Sequence, residues 1–223
     1  PRFATLGRTL ESLLAQDPAP DEIRLTLPRR YRRFPDWDGT LPGLPRGIAL
    51  HRTDEDLGPA TKALPAAAGL RGTDARLLWC DDDWLYAPGW LAVLRAASAE
   101  TPEAAIAGSG YAARRLGLPA PLPACGHADI AQGFAGVLIR PAQLPDAAWE
   151  VPESAWSVDD VWLSGMLAVS GVPIRLAPGA RARCSPHGGE AAPLQLARPD
   201  GRSRGEANRD TALWLARHFG IWR

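Results

Sequence analysis

The sequence predicts an α/β domain: a mostly parallel sheet with helices on both faces. Two observations carry that expectation. Short apolar runs of strand character at 23–27, 48–51, 75–80, 104–107, 136–139 and 172–176 are separated mostly by loops and stretches of helical period. That order winds a parallel sheet between helix layers. A chain of 223 residues is also enough for one well-buried domain of this kind, and nothing in its length calls for two.

Leu6, Leu10, Leu13 and Leu14 recur at helical spacing until Gln16-Asp17-Pro18 closes the pattern. Alternation over Ile23 to Leu27 suits a strand. Pro28 to Gly47 is rich in Pro, Arg, Gly and Asp without a sustained period and reads as a long loop. Ile48 to His51 makes a short strand, Asp54 to Gly58 a turn, and Ala60 to Ala68 a short helix interrupted by Pro65. Ala75 to Cys80 is a buried strand, Pro88 to Ala99 a helix with Leu91 and Leu94 inward, and Ala104 to Ala107 another strand. After the loop-rich Gly108 to Asp129, Gly136 to Ile139 is a buried strand between glycine and Pro141. Ser157 opens a helix running to about Ser170, Val172 to Leu176 is a strand, and Glu206 to Phe219 is a last helix stopped by Gly220.

Composition narrows the function classes. Lys plus Arg (25) balance Asp plus Glu (25), so the summed field attracts neither nucleic acid nor an anionic membrane, and any anion must be bound locally. The apolar runs fall well short of the roughly 20 residues of a transmembrane segment, and no basic, apolar leader opens the chain. Cys80, Cys125 and Cys184 are odd in number and widely spaced, which speaks against a disulfide framework or a four-cysteine zinc site and fits a reducing, cytoplasmic setting. The start, Pro1-Arg2-Phe3, has no initiator Met and reads as trimmed.

The chemistry-bearing residues centre on Asp81-Asp82-Asp83, directly after the apolar run. Like charges this close repel unless a cation or several donors answer them, and a divalent ion with oxygen ligands does so. In extended backbone Asp81 and Asp83 would share one side at roughly 7 Å, with Asp82 on the other. Oxygen ligands favour Mg or Mn, with a diphosphate completing the shell. The alternative is a solvated acidic turn.

Ser157-Val158-Asp159-Asp160 starts a helix, so Ser157 is a cap candidate and the carboxylates complement the helix dipole, which would keep them ionised. Functionally, Asp160 or Asp159 is a candidate general base for an acceptor hydroxyl, or a carboxylate that positions a sugar. Asp56-Leu57-Gly58-Pro59-Ala60-Thr61-Lys62 is a Gly-Pro turn into a helix where backbone N–H groups and Lys62 could meet phosphate, although its spacing is not that of a Walker loop. His187, in Cys184-Ser185-Pro186-His187-Gly188-Gly189, is a candidate third metal ligand or a solvated loop histidine. Gly133 and Gly136 permit close approach of substrate or tight packing. Of Trp79, Trp84, Trp90, Trp156 and Trp162, those near the acidic motifs could stack on a sugar, and the others belong to the core.

In order, a Gly-Pro-Ala-Thr-Lys turn, a strand ending in Asp-Asp-Asp, a Gly-rich strand entry and an Asp-Asp helix start resemble nucleotide-sugar glycosyltransferases of the GT-A fold, whose sheet is Rossmann-like. Leu10-Glu11-Ser12-Leu13-Leu14-Ala15-Gln16 is similar to the first helix of family 2 enzymes, and the acidic motifs are similar to those of exostosin-like transferases. The resemblance implies a metal-dependent transferase moving a sugar from a nucleotide-diphosphate donor, UDP-type first, to a hydroxyl-bearing acceptor. It implies Asp83 as direct metal ligand, Asp81 and Asp82 toward ribose, sugar or metal-bound water, Asp160 as catalytic carboxylate, Lys62 and Gly58 near the nucleotide, and His187 as a late metal ligand. In that fold a strand preceding the first helix helps hold the base, and this chain starts after that point. The acceptor would touch the loops 108–129 and 186–204. A nucleotidyltransferase and a non-catalytic carbohydrate-binding domain are the competing readings.

Overall fold

The computed structural model of the chain describes residues 3–187 and 201–223. Helix α1 (Phe3–Leu14) leads to strand β1 (Ile23–Pro28), which pairs in parallel with β2 (Ile48–Thr53). A 3-10 turn, Gly58–Lys62, runs into α2 (Leu64–Leu70), then β3 (Leu77–Trp79), β4 (Trp84–Tyr86) and α3 (Trp90–Glu100). Short strands follow: β5 (Ala105–Ala107), β6 (Gly110–Tyr111), β7 (His127–Ala128), β8 (Ile130–Ala131) and β9 (Val137–Ile139). The chain closes with α4 (Asp159–Val169), β10 (Ile174–Leu176), α5 (Pro178–Arg181), β11 (Cys184–Pro186) and α6 (Arg204–Phe219).

The mostly parallel, Rossmann-like sheet expected from the element order does not form. Five strands join in the order β3-β9-β5-β10-β7, and β1-β2, β4-β11 and β6-β8 are separate pairs. Within the five-stranded sheet only β5 and β10 run parallel. The reversal comes from β9, which enters from the 3-10 turn Gly133–Ala135 and inserts antiparallel between β3 and β5. Gly136 makes that turn at φ +89°, and a Cβ there would lie 2.4 Å from the Trp90 ring, so both the turn and the packing demand glycine.

Alternate residues of the central strands feed two cores. Leu77, Trp79, Ala105, Ala107, Val137 and Ile139 join α2, α4 and α6 on one side, while Ile106 and Leu138 meet Tyr86, Trp90 and Leu94 on the other. Strands buried on both faces show no polar alternation, which is why they read as continuous apolar runs. Helix α4 is buried along most of its length, and Gly165 lets Leu215 of α6 close in where a Cβ would stand 2.4 Å from it. A reciprocal Ser203–Glu206 cap starts α6, and Gly220 in the left-handed region ends it. Among the described residues no helix is long and apolar enough to cross a membrane.

A cavity of about 1040 Å³ lies along β1 and the 75–80 segment, each contributing six consecutive lining residues. A cavity over a strand's face would meet alternate residues, so consecutive ones mark an edge. These are the edges of β1 and β3 left unpaired in their sheets. At the tips of those edges the cavity meets the acidic motifs.

Candidate active site

Asp81, Asp82 and Asp83 form a turn between β3 and β4 and not the extended tip of a strand, so the alternation expected for Asp81 and Asp83 does not apply. Three groups outside it hold this turn. The buried Tyr86 hydroxyl accepts from the Asp81 N–H (3.1 Å) and stands 3.0 Å from its carbonyl, placing it to donate there or to the Phe134 carbonyl at 3.2 Å. Thr9 of α1 reaches the carbonyls of Asp82 (3.0 Å) and Trp84 (2.9 Å). The His187 N–H donates to the Asp83 carbonyl at 2.8 Å, extending the β4-β11 pair to bring the histidine beside the turn. Tyr86 and Thr9 are absent from the sequence reading. A Tyr three residues beyond an acidic run was the available signal, and Thr9 left none.

Lys62 lies at the centre of the charged groups. Its ammonium pairs with Asp81 Oδ1 and lies 2.8 Å from Asp159 Oδ2. The second contact is off the line of a hydrogen bond, so that buried oxygen has a neighbouring charge but no aligned donor. Burial pulls the Lys62 ammonium down, but Asp159, Asp81 and Asp160 together outweigh it and hold it well above the usual lysine range. The lysine expected at a phosphate is thus engaged by two carboxylates. Gly58, at φ +61°, has its place where a Cβ would meet the Trp156 carbonyl at 2.2 Å, so its glycine serves the turn that carries Lys62.

Asp159 and Asp160 are the first residues of α4, preceded by Val158 and not capped by Ser157, which lies one residue too early. The Asp159 side chain is 2% exposed. Asp160 keeps an edge on the cavity, and its Oδ1 accepts the Gly133 N–H at 2.9 Å. Burial, then the neighbouring Asp159, push its carboxyl up to about 7, with Lys62 pulling the other way. The helix-start rule expected an ionised group, but here desolvation outweighs the dipole.

Gly133 sits among these charges. A Cβ there would lie 2.7 Å from Lys62 Nζ, 3.0 Å from Asp81 Oδ1 and 3.2 Å from Asp160 Oδ1. Gly133→Ala is therefore expected to destabilise by about 1–3 kcal/mol through displacement of the cluster. Thermal denaturation should show a fall of several degrees, and an unchanged midpoint would refute this packing.

Of the tryptophans, Trp79, Trp90 and Trp162 are core. Trp84 and Trp156 line the cavity. Trp84 stacks on Phe134 at 4.3 Å, and Arg32 covers Trp156 at 4.6 Å. Among the described residues no three His, Cys, Asp or Glu side chains converge to hold a metal ion by themselves. Asp81 is turned to Lys62 and lines the cavity together with Asp82 and Asp83, whereas His187 Nε2 is buried with no hydrogen-bond partner among the described residues. Gly188, Gly189 and most of the 186–204 loop assigned to the acceptor lie outside the described residues.

No protein-family model matches this chain, and no curated protein matches it.

Proposed function

We propose that this chain is a metal-dependent glycosyltransferase that moves a sugar from a nucleotide-diphosphate donor, UDP-type first, to an acceptor hydroxyl in the cytoplasm. The observation that carries this reading is Asp160: a carboxyl facing the large cavity, fixed by the Gly133 N–H and tuned to about 7, beside a second cluster of carboxylates. A general base performs best with a pKa near the working pH. The motif order shared with nucleotide-sugar glycosyltransferases supports the same reading, and the cavity volume suits a ligand of that size.

In this mechanism Asp160 takes the proton of the acceptor hydroxyl as its oxygen bonds to the anomeric carbon. The bond from that carbon to the donor phosphate breaks, and the nucleoside diphosphate leaves with the electron pair. Asp83 and the imidazole of His187, whose buried Nε2 has no hydrogen-bond partner among the described residues, would hold a Mn or Mg ion, whose chemistry is to take up charge on the leaving diphosphate. Lys62 offsets part of the repulsion that Asp159 and Asp81 exert on Asp160.

Calorimetry with nucleoside diphosphates, with and without Mn, tests the reading. UDP or a related diphosphate should bind in a Mn-dependent way, and Asp83→Ala or His187→Ala should weaken that binding at least about tenfold. No binding by any nucleotide, or release of pyrophosphate from a nucleoside triphosphate, would overturn it.

A further inference from the structure

The polar groups around the cavity divide into those the protein already uses and those it does not. Lys62 answers Asp81 and Asp159, Thr9 the acidic turn, Thr61 the Leu57 N–H, and Asp160 the Gly133 N–H. Several lining side chains make no hydrogen bond or ion pair among the described residues; Arg76 and Arg95 are exposed, whereas the Tyr111 hydroxyl, the Arg204 guanidinium and the Asn208 amide belong to part-buried residues. Arg204 and Asn208 are four apart on α6 and so share one helix face. Arg204 is half-buried, and no carboxylate among the described residues answers its charge.

Tyr111 links this group to the base. Burial and then Asp160 push its phenol up to about 12, while Arg204 and Arg115 pull it down, so it lies within the fields of both Asp160 and Arg204. It stays protonated and can donate. A half-buried cation with two uncommitted donors beside it is costly unless a ligand supplies the missing acceptor.

We infer that Tyr111, Arg204 and Asn208 form the acceptor subsite, and that the acceptor carries an anionic group, carboxylate or phosphate, besides the hydroxyl offered to Asp160. This rests on the transferase reading above. The anion fixes the acceptor through a charge-assisted contact, and the hydroxyl is presented on the Asp160 side of Tyr111.

Titration of inorganic phosphate and of acetate in EDTA, followed by NMR, tests the subsite without donor, metal or turnover. Arg204→Gln should weaken the better-bound anion about tenfold, and Tyr111→Phe, which removes one hydroxyl, about threefold. Equal binding to wild type and both variants overturns the inference. Transfer assays with glucose, glucuronate and glucose 6-phosphate then separate the two anions: one charged acceptor should exceed glucose in kcat/KM at least about tenfold, and Arg204→Gln should erase that advantage. Equal use of all three overturns the inference. Discrimination in the titrations with no transfer to any acceptor supports the anion site and overturns the transferase reading.

Discussion

Lys62→Met is expected to cost about 3–5 kcal/mol of folding stability at neutral pH, read by chemical denaturation. The substitution keeps the length of the stem and removes the charge that Asp159 and Asp81 share. Most of the cost falls on Asp159, because its side chain is 2% exposed whereas about a third of Asp81 is open to water that can screen it. Added salt should recover little, since ions do not reach the buried oxygen. A second substitution, Asp159→Asn, should recover most of the loss by removing the uncompensated charge, so the pair should show strong coupling in a double-mutant cycle. Additive losses would mean that Lys62 holds the cluster by packing of its stem and not by charge.

The same lysine shows what the sequence could reveal. Its place, at the end of a Gly-Pro turn, is readable from local spacing. Its partners are not, because Asp81 lies 19 residues away and Asp159 further still. The helices were legible for a local reason: leucine spacing marks α1, and Gly220 marks the end of α6. Strand pairing was not. Strands of two or three residues such as β6, β7 and β8 carry too few positions for a period, and their direction is set by turns like that at Gly136 and by packing on Trp90. Inferring a parallel sheet from alternating element types ignored the antiparallel insertion of β9. The acidic turn was visible as a cluster of charge, but the groups that shape it, Thr9 and Tyr86, act through tertiary contacts.

Asp160→Asn is expected to lower turnover about a thousandfold while nucleotide binding in the presence of Mn stays within about twofold. The amide keeps an oxygen for the Gly133 N–H, so geometry is preserved and only proton acceptance is lost. In the unsubstituted protein kcat/KM should rise as pH increases through about 7 and level off above it, because the base works only when deprotonated. Stability should run the opposite way. A carboxyl whose folded pKa lies above its unfolded one binds its proton more tightly in the fold, so it contributes stability at low pH. That contribution is lost as pH climbs from about 4, the ordinary carboxyl value, through about 7. Asn cannot ionise, so at pH 8 the variant should melt about 2–4 °C above the parent, and the difference should vanish near pH 4. Lost turnover with raised neutral-pH stability identifies a functional carboxylate maintained against the preference of the fold. Retained turnover, or a lowered melting point at pH 8, would remove Asp160 from the chemistry and leave it a structural partner of Gly133.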